Sequence, residues 1–202
     1  MSDVSDRSRR RFLLSVGAGS AALAGLALTH SVFPPGPFSL AGDRQRISSP
    51  QGVPVNRSAR QAGVVDLASD PTWQLELVNG DRRRSLTLVE LDALPQRREV
   101  LPIACVEGWT ADATWDGVRL SDLLDLVGVP DDSTVRLQSM QQHGAFRATL
   151  MQPQYLRDPK TLVALRLNGE RLSLDHGYPA RIIAPGRPGV LQTKWLTSIE
   201  VI

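Results

Sequence analysis

The chain has 202 residues, a formal net charge of +2 and a single cysteine. The small charge gives no reason to expect a nucleic-acid partner, and a single cysteine excludes an intramolecular disulfide. The length is enough for one domain with a substantial core after an N-terminal segment is set aside.

Residues 1–33 are typical of a Tat-like export signal or a signal anchor. Residues 7–14 read Arg-Ser-Arg-Arg-Arg-Phe-Leu-Leu, in which paired arginines precede an apolar stretch. Three glycines and several alanines lie within residues 12–28, which favours a signal over a stable membrane-spanning helix. No Ala-x-Ala cleavage site follows, so both release and membrane contact through an uncleaved signal stay open. We expect a periplasmic location or one on the outer face of the cytoplasmic membrane.

The rest of the chain divides into a connecting segment and one predicted domain. Residues 34–63 are rich in Pro, Gly, Ser and Arg and keep no regular hydrophobic period, which is typical of a linker or an extended arm. Residues 64–202 are predicted to form one domain. Within it, two alternating segments each run into an Asn-Gly pair, which predicts two hairpins, with turns at Asn79-Gly80 and Asn168-Gly169.

Two short helices and several further strands are predicted in this domain. Thr87 followed by Glu90 forms a capping-box pattern that opens one helix, and Ser121 is expected to open the other. Helices this few and short cannot cross over between successive parallel strands. The predicted fold class is therefore α+β and β-rich, with mixed sheets and short helices. Further strands are predicted over residues 100–106, 135–139, 145–150, 181–184 and 196–202.

Cys105 lies at the end of a predicted buried strand, in the string Leu-Pro-Ile-Ala-Cys-Val-Glu-Gly-Trp. Four interpretations stay open on the residues alone. The thiol packs as a small hydrophobe, or it is a nucleophile with His143 or His176 as its base. A zinc site would need more ligands than one cysteine and three histidines readily supply. In the fourth interpretation, the thiolate binds a soft metal whose other ligands belong to an organic cofactor.

A second group of polar residues surrounds a Gly- and Pro-rich loop near the C-terminus. His176, Arg181, Thr193 and Lys194 recur there, and such cations with loop amides suit an anion such as phosphate. The alternative is a solvated loop that carries two ordinary surface cations.

Three separated blocks carry a resemblance to a known family. They read Cys-Val-Glu-Gly-Trp, then Trp-Asp-Gly-Val-Arg-Leu-Ser-Asp-Leu-Leu, then Asn-Gly-Glu, Asp-His-Gly-Tyr-Pro-Ala-Arg, Gly-Val and Lys-Trp in that order. Over about residues 70–202 the chain resembles the molybdopterin-binding domain of the sulfite oxidase family. In style it is nearer to small exported bacterial members than to plant or animal sulfite oxidases.

The resemblance implies a sulfite oxidase-type fold and a Mo-molybdopterin cofactor with one pterin per molybdenum. Cys105 matches the cysteine that ligates the metal beside the two dithiolene sulfurs, which makes it both the metal ligand and the catalytic residue. Further cofactor contacts are implied for Asn56, Ser139, His176, Arg181, Gln192, Thr193 and Lys194.

The chain departs from the family where sulfite would bind. From the ligand cysteine onward, sulfite oxidases have a sequence similar to Cys-x-Gly-Asn-Arg. In this chain Glu107 stands at the position of the glycine and Trp109 at that of the arginine. The resemblance places these two side chains at the entrance of the substrate pocket. An acidic group there repels anions, which favours a neutral or organic oxide over sulfite.

The predicted function is oxo transfer to or from a small-molecule substrate outside the cytoplasm. The chain has no haem-attachment motif, so a separate electron-transfer partner is expected, either a membrane haem protein or a cytochrome. Two alternatives remain: a non-catalytic binding module with the same fold, and a thiol enzyme that uses Cys105.

Overall fold

The structure is a computed structural model that describes residues 47–48, 51–104 and 109–202. The predicted export signal lies outside the described residues, as do Cys105 and Glu107. The strands of the described part are β1 (Ile47–Ser48), β2 (Pro54–Val55), β3 (Gln74–Asn79), β4 (Arg82–Thr87), β5 (Gln96–Ala104), β6 (Thr110–Arg119), β7 (Val135–Ser139), β8 (Ala148–Met151), β9 (Leu162–Leu167), β10 (Glu170–Arg171), β11 (Arg181–Ile183) and β12 (Leu196–Val201). The α-helices are α1 (Ala59–Ala62), α2 (Val65–Ala68), α3 (Leu88–Ala93), α4 (Leu120–Asp125) and α5 (Pro153–Leu156).

Two five-stranded sheets organise the described residues. One has the order β10-β9-β6-β5, with β11 also paired to β9, and all of its pairs are antiparallel. The other has the order β4-β3-β12-β7-β8, in which β12 runs parallel to β3 and antiparallel to β7. The helices in this part of the chain have four to six residues each. The prediction of a β-rich α+β fold with mixed sheets and short helices is confirmed.

Local signals account for both hairpins and for one helix start. β3 pairs with β4 and β9 pairs with β10, each across a predicted Asn-Gly turn. Asn168 and Gly169 both have positive φ, 51° and 85°, as a tight hairpin turn requires. The Thr87 hydroxyl accepts a hydrogen bond from the Glu90 amide at 3.2 Å, and the Glu90 carboxylate accepts one from the Thr87 amide at 2.8 Å. The predicted capping box is confirmed.

Two predicted boundaries are wrong. Ser121 does not open its helix, because α4 begins at Leu120 and the Leu120 amide donates to the Thr161 carbonyl at 2.9 Å. A neighbouring loop thus satisfies the first free amide, and no side-chain cap is needed. The strand predicted from residue 145 begins at Ala148 instead, since residues 145–147 form a 3₁₀ turn after Gly144, whose φ is 101°.

Part of the segment interpreted as a linker or arm packs onto the sheets. Val53 is 2% exposed within a cluster that includes Trp115 and Leu162, and Ala59 is 1% exposed in the larger core cluster. Gln51 fixes the start of this segment, because its side-chain amide donates to the Arg171 carbonyl at 2.9 Å and accepts from the Ser173 amide at 2.9 Å. Residues 51–57, called the strap below, are therefore held against the domain. No helix among the described residues combines the length and apolar character that crossing a bilayer requires.

Candidate functional site

A cavity of about 170 Å³ lies beneath the strap, beside the end of β5 and the start of β6. Residues 184–195, called the C-terminal loop below, contribute Gly189, Val190 and residues 192–195 to its lining. Predicted site residues from the strap and from the C-terminal part of the domain meet here, whereas Ser139 is not part of the lining. The lining consists of residues 53–57 of the strap, then Ile103, Ala104, Trp109, Gln141, Phe146, His176, Arg181, Gly189, Val190 and residues 192–195.

Arg181 is the first residue of β11 and is 3% exposed. Its guanidinium donates to the His176 carbonyl at 3.1 Å and to the Gln192 carbonyl at 3.4 Å, while its Nε has no hydrogen-bond partner among the described residues. The guanidinium carbon lies 4.9 Å from the centroid of the Trp115 ring. Burial lowers the pKa of Arg181 to about 10, so the side chain stays charged at neutral pH. A buried cation held by carbonyls and a ring keeps its charge available to an anionic ligand.

Lys194 provides a second, partly buried cation on the same cavity. Its Nζ donates to the Arg57 carbonyl at 2.6 Å and to the Asp175 carbonyl at 2.8 Å, and it lies 4.3 Å from the centroid of the Trp195 ring. Burial, and to a smaller extent the charges of Arg181 and Arg57, lower the pKa of Lys194 to about 7, while Asp175 opposes the shift. The cavity thus carries a strong positive potential whose strength depends on pH.

His176 lies at the end of a 3₁₀ turn formed by residues 174–176 and is 2% exposed. Its Nε2 has no hydrogen-bond partner among the described residues. Burial lowers its pKa to about 4, and the charges of Arg181 and Lys194 act in the same direction. The imidazole is therefore neutral at pH 7. Gly177 ends the turn, where a Cβ would lie 3.0 Å from the Lys194 Cβ, so a glycine allows this close approach.

The lowered pKa of His176 gives a testable dependence of stability on pH. The unfolded chain takes up the histidine proton near pH 6.5 and the folded chain only near pH 4, so protonation favours unfolding as the pH falls between these values. We expect the cofactor-free protein to lose about 3 kcal/mol of unfolding free energy across this interval through His176. Urea unfolding at several pH values measures it.

Replacing His176 and His143 one at a time separates this effect from general acid sensitivity. His176→Gln should lose the extra pH dependence, whereas His143→Gln should keep it, because His143 is exposed and outside the cavity lining. Equal slopes for wild type and His176→Gln would contradict the assignment.

Gln192 and Thr193 line the cavity, but their side chains form hydrogen bonds that hold the C-terminal loop, Gln192 within the loop and Thr193 to β8. The side-chain oxygen of Gln192 accepts a hydrogen bond from the backbone amide of Ala184 at 2.7 Å. Its side-chain nitrogen donates to the backbone carbonyls of Ala184 and Arg187 at 3.1 Å each. The Thr193 hydroxyl lies 2.9 Å from the Thr149 hydroxyl. Both side chains therefore hold the loop in shape around the cavity.

The other predicted residues support the cavity from its edges. Trp109 donates its indole N–H to the Asn56 side-chain oxygen at 3.0 Å, which links the strap to the start of β6. Ser139 lies behind the cavity wall, where its hydroxyl donates to the Lys194 carbonyl at 2.8 Å. Cys105 and Glu107 lie outside the described residues.

Sequence reasoning missed several residues that the structure brings to the site. Trp115 and Trp195 carry the rings beneath the two cations, and Arg57 contributes to the lining. Arg187 lies outside the lining but supports the C-terminal loop: it is 4% exposed and donates to the carbonyls of Leu191 and Leu150 at 2.9 and 3.0 Å. Its setting in Gly-Arg-Pro-Gly is typical of a surface turn, so the sequence carries no signal of burial. Trp195 had one signal, its position next to Lys194.

The nitrogen groups that line the cavity suit the binding of an organic anion. Arg181 and His176 each have a buried nitrogen without a partner among the described residues, and both line the cavity with Lys194. Among residues 51–104 and 109–202, no three His, Cys, Asp or Glu side chains cluster closely enough to bind a metal ion. The buried nitrogens that lack a partner in the described part of the chain, and the cations beside them, therefore suit an anionic group such as the phosphate of a molybdopterin.

Comparison with known proteins identifies relatives of the chain. It is 31% identical over 169 residues to the mitochondrial sulfite oxidase of Drosophila melanogaster, a match that covers 68% of this chain and 28% of that protein. It is 31% identical over 122 residues to the putative protein-methionine-sulfoxide reductase subunit YedZ1 of Azospira oryzae, covering 59% of this chain and 44% of the relative. The chain thus spans less than half the length of either relative.

A solved structure shows the same fold. The sulfane dehydrogenase SoxCD of Paracoccus pantotrophus superposes with a TM-score of 0.58 at 22% identity, over 65% of this chain and 38% of that one. Residues 62–202 match the family model described as the oxidoreductase molybdopterin binding domain. The chain therefore belongs to the family of oxidoreductase molybdopterin-binding domains that includes the sulfite oxidases.

Proposed function

We propose that this protein is a molybdopterin-dependent oxidoreductase that acts on a small substrate outside the cytoplasm. One observation carries the proposal: the buried Arg181 and the partly buried Lys194 face one cavity, and neither forms an ion pair with a carboxylate of the described residues. Burying charge without compensation is costly, so such an arrangement indicates an anionic ligand. The phosphate of one pterin per molybdenum is the ligand that the family implies.

The chain's own residues would share the work of binding. Arg181 and Lys194 would hold the phosphate, and neutral His176 would accept a hydrogen bond at Nε2 from the pterin. Cys105 is the proposed metal ligand. Support comes from its neighbours in the chain, because Ala104 and Trp109, which flank residues 105–108, both line the cavity. When bound, the cofactor supplies two-electron redox chemistry with transfer of an oxygen atom.

The substrate and the electron partner are further parts of the proposal. Glu107 and Trp109 replace the residues that sulfite oxidases use near the anion, which favours a neutral or organic oxide. Electrons would pass to or from a separate haem protein, and the relative YedZ1 is itself described as a subunit. The Tat-like signal in residues 1–33 supports an exported protein.

Elemental analysis together with pterin release tests this function directly. The full chain from a host that makes molybdopterin should contain molybdenum and pterin in equimolar amounts with protein. Protein from a host without pterin synthesis is the control and should contain neither. A chain that lacks both from the competent host would overturn the proposal and favour a non-catalytic module.

Iodoacetamide distinguishes the thiol-enzyme alternative. A metal-bound Cys105 should resist alkylation in the loaded protein and react in the cofactor-free protein. Equal rapid alkylation in both would favour a thiol enzyme.

A further inference from the structure

Trp195 combines complete burial with a backbone conformation that bulky residues rarely adopt. Its φ is 53°, in the left-handed region, and its side chain is 0% exposed. A bulky side chain with such a φ is strained, and strain of this kind is kept where the surrounding structure holds it. Trp195 directly follows Lys194, so its conformation bears on where that lysine lies.

The indole contacts two separate parts of the cavity wall. Its face lies beneath the Lys194 ammonium, with 4.3 Å between Nζ and the ring centroid. Its N–H donates to the Leu174 carbonyl at 2.7 Å. Leu174 begins the 3₁₀ turn that carries Asp175, whose carbonyl accepts from Lys194, and His176. One side chain thus holds both the cation and the turn opposite it.

The charges around Lys194 explain why a ring is suited to this place. Arg181 and Arg57 repel the ammonium, as does His176 whenever it is protonated, while Asp175 attracts it. The Asp175 carboxylate also accepts from the Ala59 amide at 2.8 Å. An aromatic face attracts a cation without adding a negative charge, so it does not repel an incoming anion as a second carboxylate would.

We propose that Trp195 is a positioning residue of the cofactor site: its indole face holds the Lys194 ammonium at the cavity, and its N–H fixes the turn that carries His176. The inference rests on the proposed function only in taking the anion to be the phosphate of the cofactor. The pKa of Lys194, lowered to about 7, makes the charge on this side chain sensitive to its surroundings at neutral pH.

The lysine content of the chain allows a direct test. Only Lys160 and Lys194 occur, and Lys160 is exposed, so it serves as an internal reference. NMR of the full chain labelled with ¹³C at lysine Cε follows the titration of each side chain separately. In the cofactor-free protein, Trp195→Leu should lower the Lys194 midpoint by about one pH unit and leave Lys160 unchanged. Trp195→Phe, which keeps an aromatic face, should lower the Lys194 midpoint less.

A matched control removes another buried indole. Trp73 donates its N–H to the Leu196 carbonyl at 3.2 Å and is buried, but no cation lies over its ring among the described residues. Trp73→Leu should therefore leave the Lys194 midpoint unchanged. An equal shift in this variant would mean that loosening of the core, not the ring beneath the ammonium, causes the effect.

Fluorinated tryptophan keeps the test decisive if Trp195→Leu fails to fold. Fluorination weakens the attraction of the ring face for a cation while it keeps the shape and the N–H donor. The Lys194 midpoint should fall stepwise with increasing fluorination, and a midpoint that does not move would overturn the inference. If the wild-type chain binds no molybdopterin, the proposed function fails, whereas this titration still decides the role of Trp195.

Discussion

Replacing Cys105 by serine should lower turnover by more than about 100-fold and leave the pterin bound. Loss of residues that only orient metal ligands typically costs 10- to 100-fold, so loss of the protein ligand itself should cost more. The pterin should stay because, in the proposed function, Arg181 and Lys194 would still hold its anionic end in the cavity. Turnover with an artificial electron donor or acceptor, molybdenum content and released pterin are the three measurements.

The control for this variant is Val100→Ser, which places the same hydroxyl at an exposed position of β5, the strand that ends next to Cys105. It should keep both turnover and cofactor. X-ray absorption should show one fewer sulfur neighbour of molybdenum in Cys105→Ser than in the control. Wild-type turnover in Cys105→Ser would remove the ligand role and, with it, the main chemical part of the proposed function.

The fold could be predicted where a short stretch of sequence decides the structure. The Asn-Gly hairpins and the Thr87–Glu90 box depend on neighbouring residues only, and they form as expected. β6 was missed because Asp116 interrupts its apolar pattern. That carboxylate is tolerated since the Arg98 Nε on β5 donates to it at 2.6 Å, a contact between residues that are far apart in sequence. The parallel pairing of β12 with β3 has no local signal at all.

In the candidate site, too, some residues could be predicted from the sequence and others depend on contacts between distant parts of the chain. Arginine, lysine and histidine near the C-terminus were recognisable as residues that bind anions, and the structure places His176, Arg181 and Lys194 on one cavity. The residues that contact and hold these side chains could not be recognised from the sequence. Trp115 reaches Arg181 only because β6 and β11 both pair with β9, and Ser139 supports Lys194 from β7. Which residue supports a cation is set by the topology of the sheets, so no spacing in the sequence indicates it.

Replacing Arg181 by methionine should cost the protein most of its cofactor. Truncating one partner of a buried, charge-assisted hydrogen bond costs about 2–5 kcal/mol, which corresponds to roughly 30- to 5,000-fold weaker binding. Methionine has a similar length and no charge, so it keeps much of the packing against Trp115 and removes the guanidinium. Purified Arg181→Met should contain little molybdenum and little pterin. Arg181→Lys should retain an intermediate amount, because it keeps the charge but loses the planar fork.

A surface arginine provides the matched control for this loss. Arg136 is exposed and pairs with Glu200 at 3.2 Å, an ion pair of the kind that contributes little to stability. Arg136→Met should therefore keep full cofactor content, and circular dichroism should show that Arg181→Met has kept its β-rich fold. A folded Arg181→Met protein with wild-type molybdenum and pterin would show that the buried guanidinium does not bind the cofactor. The unpaired charge beneath the strap would then need a different anion to explain it.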